Sequence, residues 1–221
     1  AGAIAIVDGV SYAGHGLPDI TALGADIYLF SMYKVYGPHL GVMTMRNDLN
    51  QRLPNQGHFF NEGYPTARFT PAGPDHAQIA SVNGVLDYFE AVYAHHFGDE
   101  AVDPVKRTSR VRALFQHAER RNLQPLLDFL VQKKGVRLIG KAVTKKRAPT
   151  VAFVREGQLP GEVAQQLADR SIGIGHGHCY AYRLIEALGL PIEHGVVRTS
   201  FVHYTLSSEI TRLIEALDEI L

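Results

Sequence analysis

Apolar residues open the chain without a break: Ala3 to Val7 reads Ala-Ile-Ala-Ile-Val, with no polar position to face solvent. Such a run predicts a strand buried on both faces of a parallel sheet, ended by Asp8-Gly9. A polar, glycine-rich stretch follows, and Leu17 to Gly24, with Pro18 near its start, predicts a short helical turn. Ile27 to Ser31 is a second apolar strand, and a loop with Gly37, Pro38 and Gly41 leads to a third, Gly41 to Arg46. Strand, short crossover, strand is the α/β arrangement, in which functional groups gather at the carboxyl ends of strands. Asp8 and the segment Ser31 to Lys34 stand at those ends.

From Gln51 to Pro74 the pattern is irregular, with four Pro and three Gly, and a loop that long in a compact domain is usually functional. Asp75 then caps an expected helix from Ala77 to about His95, with apolar positions at Ile79, Val82, Val85, Leu86 and Phe89. A second helix is expected from Pro104 to about Lys133, broken near Pro125 and closed by Gly135. Beyond it the pattern turns α+β. Strands are expected at Val136 to Ile139, Thr150 to Val154, Ile172 to Ile174 and Val196 to Val202. Helices are expected at Gly161 to Arg170, Ala181 to Leu188 and Ser207 to Leu221, the last with Ser207 or Ser208 as N-cap and Glu209 in its first turn. Phe97-Gly98-Asp99-Glu100 marks the expected division into domains 1–100 and 101–221.

Composition narrows the function classes. The 22 Lys plus Arg balance 22 Asp plus Glu, so the basic excess of a nucleic-acid binder is absent, and the Lys141 to Arg147 stretch reads as a solvated loop. No apolar run approaches the ~20 residues that cross a bilayer, and no basic-then-apolar secretory leader is visible. A single cysteine, Cys179, rules out an intramolecular disulfide framework and fits a reducing compartment, so the expected setting is cytoplasmic. His176 with His178, and His95 with His96, lack the spaced ligand set of a zinc site, so no metal is expected. Gly173-Ile174-Gly175-His176-Gly177 is not the dinucleotide fingerprint.

Asp8 and Lys34 each follow an apolar strand, which allows both to point from one sheet edge into one crevice. By spacing alone they read more readily as a turn-starting aspartate beside Gly9 and a surface lysine. The wording around them is more specific. Val7-Asp8-Gly9-Val10-Ser11, then Leu23-Gly24-Ala25-Asp26-Ile27, then Phe30-Ser31-Met32-Tyr33-Lys34-Val35-Tyr36-Gly37-Pro38, resembles the cofactor segment of cysteine desulfurases and class V aminotransferases. In that family the pattern runs Val-Asp-Gly-Ala-Gln, Leu-Gly-x-Asp-Phe and Phe-Ser-x-His-Lys-x-Tyr-Gly-Pro. The resemblance implies pyridoxal 5'-phosphate as cofactor, Asp8 at its pyridine nitrogen, Lys34 as its covalent lysine and Ser31 at its phosphate. Ser11 stands where the family has a glutamine at the ring hydroxyl, and Tyr33 where it has a phosphate-binding histidine.

The resemblance continues through nearly all 221 residues. Pro71-Ala72-Gly73-Pro74-Asp75-His76 is similar to the Ala-Gly-Thr-Pro-Asn loop that reaches the partner subunit's phosphate in the family dimer, which implies a cofactor contact at Gly73 and a homodimer. The same six residues read equally as a plain turn before a helix. Val197-Arg198-Thr199-Ser200, followed by His203-Tyr204-Thr205, resembles the segment whose arginine binds the substrate carboxylate, a role suited to a guanidinium fork. Gly175-His176-Gly177-His178-Cys179 sits where one desulfurase group carries its nucleophilic cysteine; Cys179 also reads as a packed apolar thiol.

The fold thus expected is α/β, part of a mostly parallel sheet of the PLP-dependent transferase (fold type I) large domain, followed by a smaller α+β C-terminal domain. Three functional readings remain open at this point. They are sulfur removal from cysteine with Cys179 as nucleophile, amino-acid transamination without it, and a non-catalytic fragment. The last arises because the resemblance covers only about the second half of a family chain, and the opening apolar strand needs neighbours on both sides.

Overall fold

A computed structural model describes residues 2–70, 72–98, 100–145 and 147–221. Ala1, Pro71, Asp99 and Lys146, each within a stretch singled out above, lie outside the described residues. The chain divides into two compact units, Ala1–Ala113 and Leu114–Leu221.

The first unit holds a three-stranded sheet in the order β1 (Ile6–Asp8), β2 (Ile27–Ser31), β3 (Gly41–Met45). β1 runs parallel to β2, with Asp8 opposite Leu29, and β3 runs antiparallel, with Gly41 opposite Ser31. The opening strand is shorter than the apolar run predicts. It is also exposed rather than buried, because among the described residues β1 is an edge that pairs with β2 alone; Ile6 is 62% exposed. The link between β1 and β2 contains α1 (Ile20–Leu23), capped by Asp19, whose carboxylate accepts from the Ala22 N–H at 2.9 Å, and closed by Gly24 in the left-handed region.

After β3, α2 (Asn47–Arg52) opens the stretch expected to be irregular. Arg68, only 8% exposed, closes that stretch. Its guanidinium donates to the carbonyls of Asn50 and Leu53, and its own carbonyl accepts from Gln56 and Gly57 at 2.8 Å each. Asp75 does cap a helix, accepting from the Gln78 N–H at 3.1 Å. That helix is two, α3 (His76–Ser81) and α4 (Asn83–Phe97), separated at Val82. Asn83-Gly84 is a poor pair for a helix interior, so the break falls beside it.

α5 (Pro104–Gln132) crosses the division between the units and is continuous through Pro125, where a break was expected. A proline costs a helix interior ~3 kcal/mol. Leu123, Leu126, Leu127 and Leu130, all within 1% of complete burial, each contribute ~1.5–3 kcal/mol, which outweighs that cost. Pro125 itself is exposed, so the carbonyl it leaves unpaired faces water.

The second unit is a four-stranded antiparallel sheet in the order β4 (Val136–Ile139), β5 (Thr150–Arg155), β7 (Val196–Ser200), β6 (Gly175–Gly177). Its helices are α6 (Pro160–Ala168), α7 (Tyr182–Ala187) and α8 (Ser207–Ile220). Val151 and Phe153 on one face of β5, with Val197 of β7, pack with the α5 leucines, Val163 and Leu167 of α6, and Ile210, Leu213 and Leu217 of α8. The strand expected at Ile172 to Ile174 lies three residues later, as Gly175–Gly177. The isoleucines serve the core instead, packing half-buried against the cluster. Neither Ser207 nor Ser208 caps α8. Glu209 reaches back to the Leu206 N–H at 2.7 Å, and Ser207 turns to Asn122 of α5.

Candidate functional site

Asp8 is the last residue of β1 and Ser31 the last of β2, so parallel pairing brings both to one edge of the sheet. They line a shared hollow of about 430 Å³ with Val10, Phe30, Gly41 and Met43. That is the size range of small-molecule sites. One Asp8 carboxylate oxygen accepts from the Val10 N–H at 3.0 Å, which fixes the side chain on the turn it begins. Ser11 follows, exposed on that turn, and is not among the hollow's lining residues.

Lys34 closes the 3₁₀ turn Met32–Lys34 that leads straight out of β2. It is exposed, and its one recorded contact among the described residues is the Tyr33 ring, whose centroid lies 5.8 Å from Nζ. Among the described residues no carboxylate pairs with it. Tyr33 in turn stacks on His39, with centroids 4.9 Å apart and planes within 8°. Beneath the turn, Met32 and Val35 are buried and anchor it.

Two glycines allow this edge to close. The ring of Tyr28, 2% exposed, lies against Gly9, where a Cβ would fall 2.0 Å from its Cζ. Burial pushes the Tyr28 phenol above its ordinary value, with Tyr12 and Asp8 adding to the effect, and its hydroxyl has no hydrogen-bond partner among the described residues. Gly14 lies against the Lys34 carbonyl, 2.4 Å from where its Cβ would be, and accepts at its own carbonyl from the Tyr36 hydroxyl. Tyr36 stands in the left-handed region at φ 64°. Neither Tyr28 nor Tyr36 carries a role in the sequence reading. Tyr36 lies inside the quoted motif, yet nothing in residue order tells that its hydroxyl reaches back 22 positions.

Gly73 is exposed in the turn before α3, and a Cβ there would meet nothing within 4 Å. The second unit carries the remaining candidates. Arg198 is the exposed middle residue of β7, its flanks Val197 and Thr199 buried, so the strand's alternation aims it outward. It pairs with Gly175, whose missing side chain leaves room for the guanidinium; Nε and Nη2 both stand 3.8 Å from the Cβ position. No hydrogen bond or ion pair engages that guanidinium among the described residues.

Cys179 lies two residues beyond Gly177, which pairs with Val196, while Arg198 pairs with Gly175 at the other end of this three-residue β6–β7 ladder. Its thiol donates to the Gly177 carbonyl at 3.7 Å, and His178 Nδ1 accepts from the Tyr180 N–H at 3.2 Å. Cys179 and Tyr180 both have positive φ, 49° and 64°, and Tyr180 is fully exposed. Among the described residues no group of three or more His, Cys, Asp or Glu side chains could hold a metal ion, and no helix is long and apolar enough to cross a membrane.

The family model described as aminotransferase class-V matches residues 1–96 and 105–213. An aminotransferase-like protein, FGM3, of Gibberella zeae is 35% identical over all of this chain and 52% of its own length. A probable cysteine desulfurase of Pseudomonas putida is 30% identical over 99% of this chain and 51% of its own. The cysteine desulfurase of Thermococcus onnurineus NA1 superposes with a TM-score of 0.79 at 24% identity, covering 99% of this chain and 52% of that one, which shows the shared fold. The chain spans about half the length of the curated relatives it matches. Over almost its whole extent, the chain belongs to the aminotransferase class-V family.

Proposed function

We propose that this chain supplies the lysine half of the cofactor site in a pyridoxal 5'-phosphate enzyme that acts on amino acids in the manner of a cysteine desulfurase. The observation that carries the reading is the Asp8–Ser31 hollow, followed within three residues by an exposed lysine that no carboxylate pairs. The donor set suits the group: a carboxylate for a pyridinium nitrogen, hydroxyls at Ser31, Ser11 and Tyr33 for the phosphate and ring oxygen, and a free amine for the aldehyde. When bound, pyridoxal phosphate supplies an electron sink for the substrate's α-carbon. Within that frame Asp8 would face the ring nitrogen and keep it protonated, and Lys34 would hold the group at its aldehyde and serve as the base for the substrate's α-proton. Arg198 takes the substrate carboxylate in its fork. Cys179 accepts the sulfur of bound cysteine as a persulfide, and alanine leaves.

The same reading makes 1–100 the C-terminal part of a mostly parallel large-domain sheet and 101–221 a smaller α+β domain. It also makes Gly73 a contact across a homodimer, which the exposed Phe59, Phe60 and Tyr64 support, and sets the protein in the cytoplasm, which its lone cysteine supports. One observation favours transamination as the alternative. The Cys179 thiol is turned to the Gly177 carbonyl of its own turn, so it is engaged locally where a nucleophile would have to be turned to substrate. A Cys179→Ala variant that still desulfurises cysteine at the parent rate would eliminate Cys179 as the sulfur-accepting nucleophile.

The cofactor assignment is tested by borohydride reduction in the presence of pyridoxal phosphate, followed by peptide mapping. Label is expected on Lys34. Label on another lysine, or on none, overturns the assignment.

A further inference from the structure

The turn that carries Lys34 is fastened from three sides, and one residue joins all of them. Met32 lies buried beneath the turn, and the Gly37 backbone packs against Met32 and Val85 of α4, where a Cβ would come within 3.2 Å of Met32 and 3.0 Å of Val85. Between them stands Tyr36. Its ring meets Tyr88 of α4 edge-on at 5.6 Å, and its hydroxyl donates to the carbonyl of Gly14, in the short 3₁₀ turn Ala13–His15 that follows the Asp8 loop. Gly14 in turn rests on the Lys34 carbonyl. The backbone at Tyr36 is in the left-handed region, which a bulky residue enters only when its surroundings impose it.

We infer that Tyr36 is a positioning residue, whose hydroxyl clamps the turn bearing Lys34 to the loop bearing Asp8 and so sets the lysine amine relative to the carboxylate. This rests on the reading of Lys34 as the cofactor lysine. The physical reason is economical. Lys34 reaches its partner through a flexible four-carbon stem, so side-chain contacts cannot fix its height; only the backbone at its root can. Asp8 is already tied by its own turn to Val10. The hydrogen bond from Tyr36 to Gly14 therefore ties the turn bearing Lys34 to the loop bearing Asp8, while removal of the hydroxyl leaves ring packing on Tyr88 intact.

The test uses Tyr36→Phe in the cofactor-loaded protein, with two readouts apart from turnover. One is the rate at which borohydride fixes label on Lys34, and the other is the pH midpoint of the cofactor's visible absorption band. Since misplacement of a reacting group by ~1 Å costs about a hundredfold, Tyr36→Phe is expected to slow labelling roughly ten- to a hundredfold and to displace the midpoint. Leu49→Ala, a buried α2 change remote from the clamp, lowers thermal stability and leaves both readouts in place. Gly14→Ala presses on the Lys34 carbonyl from the other side and should move the same two readouts, so the inference stays testable if Tyr36→Phe fails to fold. Parent-like labelling and midpoint in the folded variants would overturn the inference, while absence of Lys34 label in the parent would instead overturn the cofactor assignment beneath it.

Discussion

Replacing Asn122 with alanine probes the polar contact that holds the chain just after β7, the strand that carries Arg198. Asn122 is 2% exposed in α5; its Nδ2 donates to the Thr205 carbonyl at 2.7 Å, and its Oδ1 accepts from the Ser207 hydroxyl at 2.8 Å. Each hydrogen bond contributes about 1 kcal/mol net, and a buried partner left unmet costs a further ~1–3 kcal/mol. Ser207 is exposed and can turn to water, whereas the Thr205 carbonyl is only partly accessible. Asn122→Ala should therefore cost about 2–4 kcal/mol, and Ser207→Ala, which leaves the buried Asn122 Oδ1 without its donor, about 1–3 kcal/mol. The double variant should fall short of the sum by ~0.5–1 kcal/mol, the coupling of one shared bond. Urea unfolding followed by circular dichroism measures all three, with the slope unchanged if only the native state is affected. A loss below about 1 kcal/mol for Asn122→Ala, or a Ser207→Ala loss larger than that of Asn122→Ala, would refute the reasoning.

Gly14→Ala sets a Cβ 2.4 Å from a backbone oxygen where ordinary contact begins at 3.4 Å, so thermal unfolding should report a loss of ~1–3 kcal/mol or more; Gly84→Ala, with open space in the first turn of α4, should gain up to ~1 kcal/mol. Tyr28→Phe removes a buried hydroxyl without a hydrogen-bond partner among the described residues and should be neutral or stabilising at neutral pH. Because the folded phenol titrates above its ordinary 10.0, its contribution is complete below that pH and is lost as pH rises through the raised folded value. The parent should therefore lose stability above about pH 10 more steeply than Tyr28→Phe in alkaline denaturation. If Arg198 anchors the substrate carboxylate as proposed, Arg198→Lys exchanges its two-pronged fork for a point charge and should raise the amino-acid KM roughly ten- to a hundredfold. Lys34 labelling should be unchanged, and a loss of label would mean Arg198 acts on the cofactor half instead.

Local chemistry was legible where one residue decides it. Asp75 caps α3, Pro104 opens α5, and Arg198 lies within the strand expected over Val196 to Val202, all from side-chain type and apolar pattern. What escaped depends on balances that no short window contains. Pro125 fails to break α5 because four leucines within eight residues outweigh it, and β6 is a strand of Gly-His-Gly because β7 offers it an edge. The opening apolar run suggests deep burial, yet burial needs neighbours on both sides and β1 has one. At the site, residue order pointed to Asp8, Ser31 and Lys34 at strand tips. The clamp of Tyr36 on Gly14 could not be read there, since it depends on a backbone angle and on a glycine pressed against a carbonyl.

The paired left-handed residues at Cys179 and Tyr180 bear on how this loop can drift over generations. Asparagine, aspartate and glycine enter that region of backbone space most easily, while valine, threonine and isoleucine fit it worst. A lineage that gives up its thiol is thus steered toward small amide, acid or glycine replacements that preserve the bend, and away from branched ones that would flatten it. The shape of the loop can outlive its reactivity, and the residue found at 179 in each descendant records conformational fit as well as chemistry.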